Sequence, residues 1–415
     1  MNRLIDFFLI ILILLLNQVT WTLVFDSDGY LGLGEKVFFF IFDLTILLLI
    51  ILKYKYGIKV MIFNLSLLLT LLFLLELIFG GWIFGNQINH QNIIRNSDIK
   101  LSVEGLYDWP AGEVIYKRDE FGFRSKYNSI NSIDIITVGG STTDQRYISE
   151  GFTFQDVLRD HFYKNGKEVS VVNAGIDGQS TYGHLQNFDY WFNKIPNLKT
   201  KYFLFFIGVN DFFVQSGPMG GDIHYHSVNN NVNQDLMKMI MSKSILYHFI
   251  KVLSGNITAY SYDLRHEVKM PFSEIVWTSK LKTDNHKDLM KTFLKDYEKR
   301  LIALLGRVKE YGAKSIIVTQ SSRRVYDNSN EILKGQKDYM KWGGKLINGT
   351  DYYYMINLLH ERTEKVANQS GALFIDLNQN LNFDLENDFY DHCHFSPSGA
   401  DKIGKFLYKN LKHLF

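Results

Sequence analysis

The chain is nearly without cysteine. Cys393 stands alone among 415 residues, so no disulfide can close within the chain and any exterior domain is held by its core. The formal net charge is only +2, and no basic block or interleaving of aromatic with basic residues occurs. That excludes the electrostatic footprint of a nucleic-acid binder. Internal repeats and low-complexity tracts are missing as well, which excludes a solenoid or a disordered tail.

Long apolar runs are plentiful at the N-terminal end. Phe7–Phe25, Val37–Leu52 and Val60–Phe84 are each about long enough to cross a hydrocarbon core of roughly 30 Å as a helix. Arg3 precedes the first run, as in a signal peptide, but no small-residue cleavage site succeeds it, so the run is expected to stay as a helix. Lys53, Lys55 and Lys59 crowd the connector between the second and third runs, and that connector is expected to stay in the cytoplasm. The expectation is a multi-pass anchor over 1–88 with a cytoplasmic N-terminus and everything beyond it outside. Asp43 and Glu76 lie within the second and third runs at similar depth. Two carboxyls placed so either share a proton between packed helices or meet a membrane-protein partner.

Beyond the anchor, residues 89–130 read as a polar, irregular linker that packs on the C-terminal domain through Tyr107, Trp109, Phe121 and Phe123. From there to the end, short apolar runs ("IDIITV", "VSVVNA", "YFLFFIG", "SIIVTQ", "ALFIDL") alternate with segments of helical period. Continuous apolar strands separated by helices indicate a parallel sheet covered on both faces, so 131–415 is expected to be a doubly wound α/β domain. An insertion at about 217–284, with an amphipathic helix and no clear strand, is placed to cover a site.

Ligands of an open parallel sheet bind beyond the carboxyl ends of its strands, so the residues after each run carry the chemistry. These are Gly139-Gly140-Ser141, Asn173 to Gly178, Gly208-Val209-Asn210-Asp211 and, near the C-terminus, "YDHCHFSPSG". Ser141 is either an N-cap for the next helix or a hydroxyl presented for attack. Asp391 and His394, three residues apart before a helix start at Ser396-Pro397, supply a base and its orienting acid, or form a cap pair. His392 competes as the base. Gly178 permits close backbone approach, and the Asn210 amide can donate to a developing oxyanion.

Ser141, Gly178, Asn210 and His394 in that order resemble the four blocks of the SGNH hydrolases, the GDSL-type esterases, with "GGST", "NAGIDG", "GVND" and "DHCH" as the matching stretches. The resemblance spans roughly Ile133 to Leu414. It implies a flavodoxin-like sheet and a triad of Ser141, His394 and Asp391, with Gly178, Asn210 and the Ser141 N–H as oxyanion hole. No cofactor or metal is implied. Gly140 departs from the pattern, which has aspartate there, and disfavours the lipase-like end of the family. "FGFRS" and the anchor look like members found with cell-surface polysaccharide assembly. The expected activity is removal of acyl groups, above all acetyl, from a carbohydrate or related ester. Transfer of an acyl group onto a polysaccharide and a silent scaffold role are the alternatives. "HYH" with Asp222 lacks further ligands at metal spacing, Asn256-Ile257-Thr258 matches a glycosylation sequon, and Cys393 reads as packing.

Overall fold

The computed structural model describes residues 33–83, 93–214, 243–250, 271–326, 333–337 and 340–415. Two compact units make up the chain: one of residues 1–90 and 230–265, the other of residues 91–229 and 266–415.

In the first unit, α1 (Leu33–Tyr56) and α2 (Ile58–Phe79) succeed each other across Gly57. Among the described residues, α2 is the one helix long and apolar enough to cross a membrane. Val60, Phe63, Leu67 and Phe73 are among the large apolar side chains it exposes, as a helix wrapped by lipid would. The first apolar run, Phe7–Phe25, lies outside the described residues. Glu76 is engaged within the first unit, accepting from Trp82 Nε1 at 2.8 Å and from the Leu246 N–H at 3.1 Å. Part of the stretch expected to form an insertion into the catalytic domain thus belongs to the first unit.

The second unit is built on five parallel strands: β3 (Ile133–Gly139), β4 (Val171–Asn173), β5 (Thr200–Ile207), β7 (Lys314–Thr319) and β12 (Leu373–Ile375), in the order β12-β7-β5-β3-β4. Counted within the sheet this is 2-1-3-4-5, the flavodoxin-like order, with its switch point between β3 and β5. All five apolar runs singled out in the sequence supply these strands. Their side chains alternate despite the unbroken apolar character: Phe203, Phe205 and Ile207 enter one core, Leu204 and Phe206 the other. The first core is closed by helices at Thr181–Tyr190, His286–Tyr311 and Gly349–Ser370, the second by helices at Phe154–Lys164 and Pro397–Leu411.

Two stretches differ from the sequence expectation. The supposedly irregular linker forms a hairpin, β1 (Ser97–Ser102) with β2 (Glu113–Arg118), antiparallel throughout. Alternation in β2 explains it: Val114, Tyr116 and Arg118 are buried while their neighbours are exposed. Within 217–284, Trp277–Thr278 forms a short strand, β6, against β9 (Lys334–Gln336). Two residues are too few to leave a period. The other side of β9 pairs with β8 (Val325–Tyr326), and β10 (Met340–Trp342) forms a separate small ladder with β11 (Lys345–Ile347).

The hairpin carries charge into the core. Arg118 Nη2 meets Asp144 Oδ1 at 2.7 Å, with the two side chains 3% and 1% exposed, and the Tyr116 hydroxyl donates to the same oxygen at 3.0 Å. Burial opposes ionisation of Asp144, but Arg118, Arg124 and Arg146 outweigh it and hold its carboxyl below the usual range. Removing one partner leaves the other charge buried and unpaired. Asp144→Ala is therefore expected to destabilise the fold by about 3–5 kcal/mol, read as a shifted denaturant midpoint, while replacing Arg118 and Asp144 together by apolar residues costs less. A midpoint unmoved by Asp144→Ala would mean the pair does not hold the hairpin.

Candidate active site

Ser141 comes one residue after β3, past Gly140, and opens a four-residue helix, Ser141–Asp144. The turn before it depends on glycine. A Cβ added at Gly139 would lie 2.0 Å from Thr143 Oγ1, and one at Gly140 would lie 2.2 Å from Asn210 Nδ2 and 2.9 Å from the Gln179 carbonyl oxygen. In this backbone conformation the Asn210 amide occupies the place a side chain at position 140 would take.

His394 reaches Ser141 from the loop before the C-terminal helix. Its Nε2 lies 2.6 Å from Ser141 Oγ, and its Nδ1 lies 2.6 Å from Asp391 Oδ2. The other Asp391 oxygen accepts from the backbone N–H groups of Cys393 at 3.0 Å and His394 at 2.8 Å. The loop thus folds around its own carboxylate, which is why an aspartate three residues ahead of the histidine can both shape the turn and aim the ring. His392 takes another part: its carbonyl oxygen accepts from the Arg323 N–H at 2.9 Å and the Ser322 hydroxyl at 2.8 Å, anchoring the loop to the β7 end.

The electrostatics suit proton transfer. Burial opposes the charge on Asp391, yet His394, at contact distance, together with the two backbone N–H groups, holds its pKa well below the usual carboxylate range. For His394 burial again opposes the charged form, and Asp391 together with Cys393 outweighs it, so the imidazole pKa is raised well above its ordinary value. The His394 side chain keeps 15% exposure, so the reacting end stays open.

The residues expected to donate to an oxyanion lie in neighbouring turns, with Asn210 bonded to the turn that holds Gly178. Asn210 opens the turn after β5, where Gly208 has φ 134°, a conformation open to glycine. One Asn210 Nδ2 hydrogen goes to the Gln179 carbonyl at 2.8 Å, which leaves the second to donate elsewhere. Gly178, with φ 75°, precedes Gln179 in that turn. The structure therefore brings together Ser141, His394, Asp391, Asn210 and the Gly178 turn. "HYH" with Asp222 and the Asn256 sequon lie outside the described residues.

Among the described residues, the potential ligand atoms of Asp391, Cys393 and His394 fall within 4.8 Å of one another. Two of the three already hold each other, so an ion there would first have to displace the hydrogen bond that aims the base. Sequence reasoning passed over Gln179, Gln320 and the Arg118–Asp144 pair. Gln320 had a signal, being the polar residue that ends "SIIVTQ" at the same sheet edge.

A general base must be unprotonated before attack. Because the His394 pKa is raised, kcat/KM is expected to fall as pH drops through a value above the ordinary histidine 6.5. Asp391→Asn removes the larger raising partner and leaves burial and Cys393, so the acid limb should move to lower pH while the plateau drops by up to about 10⁴-fold. A pH–rate profile of both proteins checks this, and an unshifted acid limb in the variant would contradict the pairing.

The site has counterparts among known proteins. Residues 135–407 match the family model of GDSL-like Lipase/Acylhydrolase. No curated protein sequence matches the chain. Similar solved structures include an acetyl xylan esterase at 15% identity, which covers 67% of this chain and 100% of its own with a TM-score of 0.36. A carbohydrate acetylesterase from Sinorhizobium meliloti stands at 10% identity, 68% and 100% coverage and a TM-score of 0.36. An acetyl-xylooligosaccharide esterase from Geobacillus Stearmophilus stands at 13%, with 68% and 95% coverage and a TM-score of 0.35. With a serine, a histidine and an aspartate in hydrogen-bonded series and two thirds of its length matched, this chain belongs to the GDSL-like lipase and acylhydrolase family and is an SGNH-type serine hydrolase.

Proposed function

We propose that this protein is a membrane-anchored esterase whose catalytic unit lies outside the cytoplasm and removes acetyl groups from a carbohydrate. The observation that carries the chemistry is the 2.6 Å contact between His394 Nε2 and Ser141 Oγ, backed by Asp391. His394 takes the hydroxyl proton as Ser141 Oγ bonds to the acyl carbon. The carbonyl oxygen becomes an oxyanion, which Asn210 Nδ2 and the Ser141 and Gly178 N–H groups receive. The proton then passes from His394 to the leaving sugar oxygen. Water, activated by His394 in turn, releases acetate and restores Ser141.

A cavity of about 570 Å³ lies beyond the carboxyl ends of β7 and β12; Ser141, Asn210, Asp391 and His394 are not among its lining residues, and in this reading it holds sugar units beyond the one that carries the ester. Asn378, Gln379, Asn382 and Glu386 line it together with Tyr353 and Phe383. Amides and carboxylates match the alternating donors and acceptors of sugar hydroxyls, and rings cover the C–H faces. Support for the anchor comes from α2 and, for its direction, from Lys53, Lys55 and Lys59.

Full-length protein in detergent is expected to release acetate from acetylated xylo-oligosaccharide and to prefer 4-nitrophenyl acetate over the octanoate. Octanoate preferred, or esters left intact in water while an added oligosaccharide becomes acylated, would replace this function by a lipase or an acyltransferase.

A further inference from the structure

The attacking oxygen and the oxyanion donor stand on different strands. Ser141 comes after β3 and Asn210 after β5, and the last paired residues of that ladder are Gly139 and Phe206. Beyond them the two turns face each other, and their separation decides whether carbon and oxygen of one carbonyl are met at once.

A side chain from a third strand ties them together. Gln320 is the first residue after β7, whose last residue, Thr319, pairs with Ile207, so Gln320 lies beside the Gly208 turn. It is 2% exposed. Its Oε1 accepts from the Val209 N–H at 2.7 Å, and its Nε2 donates to Thr142 Oγ1 at 2.5 Å. Val209 is the neighbour of Asn210, and Thr142 is the neighbour of Ser141. One planar amide thus holds both turns, with its acceptor on one and its donor on the other.

His360 backs the same turn. A Cβ at Gly208 would come within 3.1 Å of His360 Nε2, and burial pushes the His360 pKa down to about 4, so the ring presents no charge beneath the oxyanion donors. The amide accepts from the Val209 N–H and donates to the Thr142 hydroxyl, and methionine has neither group in useful strength.

We propose that Gln320 is a positioning residue that sets the separation of the Ser141 hydroxyl and the Asn210 amide, acting through Thr142 and Val209. The proposal rests on Ser141 being the nucleophile. Its effect belongs in kcat rather than in KM, because a ground-state ester needs less exact placement than the tetrahedral oxyanion.

The test uses full-length protein, 4-nitrophenyl acetate as substrate and a fluorophosphonate that counts competent sites. Per competent site, Gln320→Met is expected to lower kcat by about 10- to 100-fold, the scale of a 1 Å misplacement, with KM within about twofold. Thr142→Val should lower kcat in part, Thr142→Ser should recover it, and Gln320→Met with Thr142→Val should be no worse than Gln320→Met alone, because both remove one tie. The rate of fluorophosphonate labelling, which needs no ester substrate, should rank the variants in the same order. That readout separates a failed tie from a failed esterase function. Should Gln320→Met not fold, the two Thr142 variants probe the contact from its other end. Equal kcat in Thr142→Val and Thr142→Ser, a Gln320→Met kcat near wild type, or losses that multiply in the double variant would overturn the proposal.

Discussion

A parallel sheet buried on both faces can express polar chemistry only at its strand ends, and the layout of this site derives from that constraint. β3 and β5 feed mainly apolar side chains into both cores, and Ser141 and Asn210 appear beyond the points where the strands stop. The switch point lies between these two strands, where the chain departs to opposite faces of the sheet and a crevice opens in which residues from separate turns can meet. The cost is crowding, and Gly139 and Gly140 relieve it. Each position is so close to its neighbours that even a methyl group would overlap them.

Charge is handled in two ways within a few residues. Asp144 is buried and kept ionised by arginines that include two delivered by the N-terminal segment, Arg118 and Arg124. It holds the helix that Ser141 opens, and it has no route to substrate. Asp391 is also kept ionised, by His394 and two backbone N–H groups, but its histidine touches the Ser141 hydroxyl and keeps 15% of its side chain exposed. The difference between the carboxylate that holds structure and the one proposed to serve catalysis is the partner. An arginine fixes a charge permanently, whereas a histidine can give its proton back.

The sheet and the triad were legible in the sequence because both rest on local signals. Five β-branched and aromatic runs announced the strands, and the residues after them were the natural place to look. Asp391 and His394 could be paired because their contact spans only three positions. The β1–β2 hairpin was not legible as structure, since its buried face consists of Tyr116 and Arg118 as well as Val114, and buried arginine reads as solvent-facing until its partner is known. Gln320 escaped for a similar reason. Its two partners lie 111 and 178 positions away, and no periodicity reports a contact of that length. The short strand Trp277–Thr278 is fixed by pairing with β9 rather than by its own composition.

The central claim is that Ser141 is the nucleophile, activated by His394. Its most direct measurement is mass spectrometry of the full-length protein after reaction with a fluorophosphonate. One adduct is expected, on the peptide that contains Ser141, and it should vanish in Ser141→Ala and form far more slowly in His394→Ala. An adduct on another residue, or labelling of Ser141→Ala at the wild-type rate, would contradict the account.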